Sequence, residues 1–355
     1  MAEHLSSLET KALVAQAKKV YDEHFDTTTC FERAIFFSWS CAIKDCGFCY
    51  MSTQEKKNKN EDDKSIRSKA SMYAEAFLCK IYGWEIGFFS GGILAYPYPE
   101  LLEIVRNINK IYGKKVWINI GALSNQTLSL FKDDVEGVVG SLETINWDLH
   151  KKVCPSKPYQ PYLKMFDDAH TLGLKTAMTF IVGLGETHAD FENLKSVIER
   201  YHISKIHMYG LIPHPGTVYA DAPAPSVDEQ AWWIAKTRIA FPRMDIQCGI
   251  WTDRIERVSV LLEAGANTTS KFPVIRMFNS PQARMLEEQA LTAGRKFVGT
   301  LTAMRDVSWE AEIAGWNFLE PSMKDAVKEK MATYLKQMRK KKEGRKEGLI
   351  VVREE

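Results

Sequence analysis

The chain has 355 residues, a formal net charge of +2 and 26% charged residues. This near balance argues against a polyanionic partner such as nucleic acid across the whole surface. No stretch approaches the roughly 18 consecutive apolar residues of a membrane helix. The N-terminus lacks a basic region followed by an apolar run, so we expect a cytoplasmic protein.

The apolar pattern predicts helices and strands that alternate along most of the chain. The first helix, over residues 6–25, has Ser6 and Glu9 at capping-box spacing and is expected to act as a lid or plug. Strands are predicted at residues 34–39, 86–90, 116–120, 137–143, 175–182, 205–212, 244–250 and 267–273. Helices are predicted between them near residues 70–82, 99–112, 124–132, 159–172, 188–201, 226–240, 253–264 and 281–293.

This alternation predicts an α/β fold with a parallel sheet and right-handed crossovers. Eight strands are the number of a closed (β/α)8 TIM-type barrel, and a six-stranded open barrel stays as the alternative. We expect an N-terminal helical lead-in at residues 1–30, the barrel at 31–300 and a C-terminal helical extension at 301–355. The polar stretch at residues 54–69 and the basic end of the tail are expected to be solvated.

Three of the seven cysteines, Cys41, Cys46 and Cys49, lie within nine residues of one loop after the first predicted strand. Such closely spaced thiolates can converge on a soft metal. A four-iron, four-sulfur cluster held by three cysteines keeps one iron open, whereas structural zinc usually takes a fourth Cys or His. The other four cysteines show no ligand spacing, so we expect one metal centre, with a zinc loop as the alternative.

Further polar and glycine motifs follow the predicted strands, and a barrel collects its active site at these strand ends. The pair Gly91–Gly92 lets the backbone approach a ligand closely. Glu143 ends the fourth predicted strand, where a carboxylate aimed into the barrel needs hydrogen-bond donors. The fifth predicted strand ends in a turn that contains Gly183 and could contact a ligand. In a simpler interpretation it is only a turn, in which Thr187 caps the next helix.

Together these motifs resemble the radical S-adenosylmethionine (SAM) superfamily, and within it the group of biotin synthase, HydE and PylB. The usual C-x3-C-x2-C motif is here C-x4-C-x2-C, with the aromatic Phe48 before the last cysteine, and the Gly-Gly-Glu motif has Ile93 in place of its Glu. The Ser-Trp-Ser lead-in and the Cys-Pro-Ser-Lys-Pro segment at residues 154–158 are most similar to the HcgA (HmdB) enzymes. Those enzymes act in making the guanylylpyridinol cofactor of mono-iron hydrogenase.

The resemblance implies a radical SAM enzyme with one 4Fe–4S cluster per chain on Cys41, Cys46 and Cys49. Such an enzyme cleaves SAM reductively to methionine and a 5′-deoxyadenosyl radical, which abstracts hydrogen from a small-molecule substrate. An electron donor such as a flavodoxin or ferredoxin is implied, and no nucleic acid or membrane partner is expected. The SAM-binding residues implied by the resemblance are Phe48, Ser90, Gly91, Gly92, Glu143, Tyr162, Lys164, Ile181, Gly183 and Met208.

The expected contacts differ within this set. Glu143 would hold the ribose. Met208 is expected to be a core residue, with packing on the adenine as its alternative role. Related enzymes hold the SAM carboxylate with an Arg where this chain has Tyr162, and Lys164 follows about half a turn on. Candidates for the barrel lining, taken from their position at strand ends, are Asn119, Thr179, Tyr209, His214, Trp251, Arg254 and Arg276.

Two alternatives stay open. The chain could be a HydE-like or PylB-like enzyme that serves another hydrogenase cofactor or an amino-acid rearrangement. It could also be a non-catalytic metal-binding barrel that binds a partner.

Overall fold

Eight parallel strands form the centre of the computed structural model, which describes residues 7–53, 65–93 and 95–340. The sheet runs from β2 to β9 in chain order, and each strand pairs with the next. The strands are β1 (Thr28–Cys30), β2 (Glu32–Phe36), β3 (Glu85–Ser90), β4 (Val116–Asn119), β5 (Val135–Glu143), β6 (Lys175–Val182), β7 (Ile203–Gly210), β8 (Asp245–Gly249), β9 (Thr268–Ser270) and β10 (Lys296–Val298). All eight predicted strands are present at or near their predicted positions.

The two edges of this sheet meet. Phe31, just before β2, forms an isolated parallel bridge with Thr269 of β9. The sheet is therefore a nearly closed barrel, which confirms the (β/α)8 prediction over the six-stranded alternative.

Helices follow the strands and cover the outside of the barrel. They are α1 (Ser7–His24), α2 (Lys69–Tyr82), α3 (Tyr98–Tyr112), α4 (Asn125–Phe131), α5 (Trp147–Val153), α6 (Gln160–Thr171), α7 (Phe191–Arg200), α8 (Val227–Ala240), α9 (Val258–Glu263), α10 (Val274–Met277), α11 (Pro281–Thr292), α12 (Trp309–Ala314) and α13 (Pro321–Arg339). Four of them begin where a serine hydroxyl accepts the backbone N–H three residues on, at Ser68, Ser124, Ser226 and Ser280. The short helices α5, α10 and α12 were not predicted.

The N-terminal helix lies at the end of the barrel where the strands begin. It packs along α8, and the guanidinium of Arg295 lies 3.4 Å from the ring centroid of Tyr21. The neighbouring strand β1 pairs with β10, and the Thr29 hydroxyl donates to the carbonyl of Asn267, one residue before β9. The helix is thus placed like a plug, on the side away from the strand ends.

The lower part of the barrel interior is filled. Halfway along the barrel, a layer of inward-facing apolar side chains consists of Ala34, Phe88, Trp117, Val139 and Ala177. Nearer the start of the strands, the Lys205 ammonium binds the Glu32 carboxylate at 2.7 Å, and the Thr268 hydroxyl donates to the same oxygen at 2.6 Å. The open part of the barrel therefore lies at the ends of the strands.

Some sequence predictions fall outside the described residues. These are Ser6 of the capping box, most of the polar stretch at residues 54–69, and the basic tail beyond residue 340. Within the described ranges, no helix combines the length and apolar character needed to cross a membrane.

Candidate active site

A cavity of about 360 Å³ lies at the ends of the barrel strands. All eight barrel strands contribute side chains to it, and the loop after β2 lines it with Phe48 and Cys49. Ser90, Gly91, Glu143 and Ile181 line it as well. The structure therefore brings together residues from four separate predicted motifs, because parallel strands all end at the same rim.

The loop that carries the cysteines lies directly on the Gly-Gly segment. A Cβ added to Gly92 would lie 1.5 Å from the carbonyl oxygen of Ser40 and 2.7 Å from Cα of Cys41. The Ala42 amide donates to the carbonyl of Ile93 at 3.1 Å, which holds the two segments together. Only glycine fits at position 92, because a side chain would push the Cys41 backbone away.

Cys46 and Cys49 lie on one turn, in which the Cys49 amide donates to the Cys46 carbonyl at 3.0 Å. The Cys46 thiol hydrogen-bonds with Cys154, and this contact, together with burial, raises the pKa of Cys46. As arranged here, no three His, Cys, Asp or Glu side chains of the described ranges are grouped to hold a metal ion. At least one of the three thiols therefore has to move before all three can share a ligand.

The donor set nevertheless fits an iron–sulfur cluster. Cys41, Cys46 and Cys49 are free thiols on one loop, and thiolates are the usual ligands of such clusters. The loop lies over an open cavity, so a ligand bound there would face the space in which a small molecule can sit. Cys154, which has no ligand spacing in the sequence, is brought to this site only by the fold.

Glu143 ends β5 in a strained backbone conformation with φ of 65°. Its carboxylate accepts hydrogen bonds from the Lys157 ammonium and from the Thr179 hydroxyl, each at 2.9 Å. These donors meet the predicted requirement that a carboxylate inside the barrel be hydrogen-bonded. Burial alone lowers the pKa of Lys157, but Glu143 and neighbouring groups outweigh it and raise that pKa well above its usual value.

Lys157 is the buried cation of this part of the site, and the motif analysis did not single it out as a ligand. It is only 5% exposed, and its ammonium lies 6.0 Å from the ring centroid of Tyr162. Burial raises the pKa of Tyr162 to about 12. Lys157 belongs to the Cys-Pro-Ser-Lys-Pro segment, so that segment was the signal that could have found it.

The expectation that Lys164 faces SAM is not supported. Its side chain is 72% exposed and pairs with Asp168 at 2.8 Å on the outer face of α6. Two residues along a helix turn through about 200°, so a buried Tyr162 sends Lys164 outward. Lys157, rather than Lys164, supplies the positive charge here.

The turn after β6 is closed by its own glutamate. The Glu186 carboxylate accepts from the amides of Gly183 at 2.5 Å, Leu184 at 3.0 Å and Gly185 at 3.1 Å. Gly183 has φ of 103°, a conformation that favours glycine. Thr187 and Asp190 also form a capping box at the next helical turn, so the structural role of this motif is confirmed. Ile181, just before the turn, lines the cavity, whereas Gly183 is not among the described lining residues.

Met208 does not face the cavity. It is fully buried in the main hydrophobic core, whereas its neighbours His207 and Tyr209 line the cavity. Side chains alternate along a strand, so two inward neighbours send Met208 toward the helices. The interpretation of Met208 as a core residue is therefore confirmed, and its alternative role as a cofactor-binding residue that packs on the adenine is corrected.

Of the seven barrel-lining candidates, five line the cavity: Asn119, Thr179, Tyr209, His214 and Trp251. Arg254 and Arg276 are not among the described lining residues. The Arg254 side chain pairs with Asp253 and donates to the Leu211 carbonyl. The polar lining residues that were missed by the sequence include Gln247, Ser270 and Lys271.

Several known proteins are similar to this chain in sequence or in fold. The family model described as the radical SAM superfamily matches residues 40–198. An uncharacterized protein of Methanocaldococcus jannaschii is 37% identical over 289 residues, covering 81% of this chain and 79% of that protein. The biotin synthase of Persephonella marina is 27% identical over 218 residues, covering 58% of this chain and 61% of the synthase. The structure of methylornithine synthase (PylB) matches with a TM-score of 0.68 at 17% identity, over 86% of this chain and 93% of PylB, a likeness of fold.

Proposed function

Because the chain belongs to the radical SAM superfamily, and is an enzyme of it, we propose that it cleaves SAM reductively to methionine and a 5′-deoxyadenosyl radical. We assign Cys41, Cys46 and Cys49 as the ligands of one 4Fe–4S cluster. When bound, that cluster supplies the electron for the cleavage and an open iron for SAM. The observation that carries the proposal is the close contact of the cysteine loop with Gly92, next to the barrel cavity.

The chain's own residues bind and orient the cofactor in this proposal. Phe48 and Ile181, which line the cavity, flank the adenine together with Gly183. The Gly91–Gly92 backbone receives the amine, and its neighbour Ser90 and Gly91 itself line the cavity. Lys157 holds the SAM carboxylate in place of the family's Arg, since it is the buried cation beside Tyr162. Glu143, held by Thr179 as well as by Lys157, has oxygens that can also accept from the ribose hydroxyls.

The walls of the cavity position the substrate and limit the access of water. Positioning a reactant in a dry site contributes strongly to rate because it removes the entropy of encounter. A flavodoxin or ferredoxin is proposed as the electron donor and a small molecule as the substrate.

SAM cleavage tests this function directly. The protein is reconstituted with iron and sulfide without oxygen, reduced with dithionite, and assayed for 5′-deoxyadenosine. Replacement of Cys41, Cys46 or Cys49 by Ser is expected to abolish the product and lower the iron content. Cys30→Ser, at the opposite end of the barrel, is the matched control and should retain both. A triple variant that still makes 5′-deoxyadenosine would contradict the assignment, and about one zinc per chain without iron would favour a non-catalytic metal site.

We further propose that the enzyme acts in the biosynthesis of the guanylylpyridinol cofactor of mono-iron hydrogenase. The contact between the cysteine loop and the Cys-Pro-Ser-Lys-Pro segment supports this, because both carry the resemblance to HcgA. The Gly47 amide donates to the Val153 carbonyl at 2.7 Å, and the Ser156 amide lies 3.4 Å from an Asp45 carboxylate oxygen. The two motifs therefore form one structural unit.

Deletion of the gene in its source organism tests this finer proposal. Loss of guanylylpyridinol, measured by mass spectrometry of hydrogenase extracts, is the expected result, and complementation by the intact gene should restore it. Normal levels of the cofactor in the deletion strain would reject it. The HydE-like alternative would then be tested by the activity of hydrogenases of another metal type in the deletion strain. The PylB-like alternative would be tested by measuring rearranged amino acids in the same strain.

A further inference from the structure

The floor of the cavity holds polar atoms without partners. The Nε2 atoms of His207 and Gln247 and the hydroxyl of Ser270 are buried and make no hydrogen bond within the described part of the chain. All three side chains line the cavity and are at most 8% exposed. Buried polar groups are nearly always hydrogen-bonded, so these three atoms point to a ligand or ordered water.

The floor offers both a donor and an acceptor. His207 Nδ1 lies 3.2 Å from the Gln247 side-chain oxygen. An amide oxygen only accepts, so Nδ1 carries the proton and Nε2 presents a lone pair. Burial holds the pKa of His207 well below its usual value, which keeps the ring neutral. The Gln247 amide nitrogen beside it donates.

The wall above this floor carries a buried lysine, Lys271, whose pKa is lowered by burial, although the nearby Glu143 and Cys49 act in the opposite direction. The other formally charged side chains of the described lining are each paired: Glu32 with Lys205, Glu143 with Lys157 and Arg33 with Glu75. Lys271 forms no hydrogen bond or ion pair with the described residues. Its ammonium lies 4.4 Å from the ring centroid of Tyr209, which also lines the cavity.

Lys271 has an unfavourable backbone conformation in this position. Its backbone has φ of 69°, a left-handed conformation that is unfavourable for a lysine and is often found at functional sites. A Cβ on Gly249 would lie 2.1 Å from the Tyr209 ring and 3.2 Å from Cγ of Lys271. Gly249 thus leaves the space that both side chains occupy.

We propose that the substrate is a small carboxylic acid whose carboxylate pairs with Lys271 and whose far end hydrogen-bonds with His207 and Gln247. This assignment rests on the proposed radical SAM function. One unpaired ammonium matches a single negative charge, whereas a phosphate dianion would need a second cation. The registers pair Tyr209 with Gly249 and His207 with Gln247, two residues lower, so the strand positions that carry the two ends of the proposed site are about 7 Å apart.

The test measures binding to the holoenzyme, loaded with cluster and SAM but left unreduced so that no turnover occurs. The probe is 6-hydroxyhexanoate, which carries a carboxylate and a hydroxyl at about this separation, and the matched neutral probe is 6-hydroxyhexanamide. By titration calorimetry, the wild type is expected to bind the acid about ten-fold more tightly than the amide. Lys271→Met should remove this preference, and Lys271→Arg, which retains the charge, should keep part of it.

Several results would overturn the assignment. These are equal affinity for acid and amide, no binding of either, or a preference that survives in Lys271→Met. A loss of SAM affinity in Lys271→Met would assign the lysine to the SAM carboxylate instead and would also overturn it. The proposed function is judged separately, by 5′-deoxyadenosine formation in the wild type. A wild type that makes this product without a carboxylate preference therefore loses only the substrate assignment.

Discussion

Replacement of Gly92 by Ala is expected to displace the loop that carries Cys41. The added methyl carbon would lie 1.5 Å from the Ser40 carbonyl oxygen, and a normal carbon–oxygen contact is about 3.3 Å. The loop or the Gly-Gly segment must therefore move by roughly 1.8 Å, the difference between these distances. The backbone at Gly92 does not have a positive φ, so this steric overlap is the only obstacle to Ala.

The displacement should reduce iron content and 5′-deoxyadenosine formation much more than it reduces the free energy of unfolding. Overpacking usually reduces the free energy of unfolding by about 1–3 kcal/mol, while a shift of about 1 Å at a reacting centre can lower the rate on the order of 100-fold. The assays are iron content after anaerobic reconstitution, 5′-deoxyadenosine formation, and urea unfolding of the metal-free protein. Gly315→Ala is the control, because its new Cβ would lie 3.4 Å from the nearest atom. A Gly92→Ala variant with full iron and full product formation would refute the reasoning.

Other perturbations test the ion pairs and the cysteine pair. Lys205→Met leaves the Glu32 carboxylate buried without this cation, and urea unfolding should show that the free energy of unfolding falls by about 3–5 kcal/mol. A loss no larger than that of the exposed control Lys114→Met would contradict this. Burial alone raises the pKa of Glu75, but two guanidinium groups outweigh it and leave the pKa lowered, so its stabilising effect is present above about pH 4.5 and is lost as the pH falls. The gap in unfolding free energy between wild type and Glu75→Gln should therefore shrink in acid, and a constant gap would exclude this linkage. In metal-free protein, diamide should join Cys46 to Cys154, as peptide mass mapping would show, and no linked peptide should form in Cys154→Ser.

The fold was predictable because short apolar runs and turn residues alternate along the chain. Each of the eight barrel strands forms around such a run, and the strand order follows the chain order. The three-residue strands β1 and β10 were not predicted, because they pair across almost the whole chain and neither has a period of its own. Short helices such as α5 were missed for a similar reason, since seven residues show too little helical repeat.

The site was predictable where a motif lies on one loop or at one strand end. Gly91 and Glu143 line the cavity for this reason. Lys157 and Cys154 reach the site through an irregular segment, whose path is set by tertiary packing rather than by a local repeat. The core position of Met208 was predictable, because strand alternation excludes that it faces inward together with its neighbour Tyr209.

Among the described residues, the cavity lies between the filled part of the barrel and the ends of its strands. The apolar layer around Phe88 and the pair of Glu32 with Lys205 lie at the inner end of the cavity, while the cysteine loop borders the opposite end. A molecule that reaches His207 therefore enters past the cysteine loop, on the same side as the place proposed for SAM. Entry of the substrate and entry of SAM are expected to depend on the same opening.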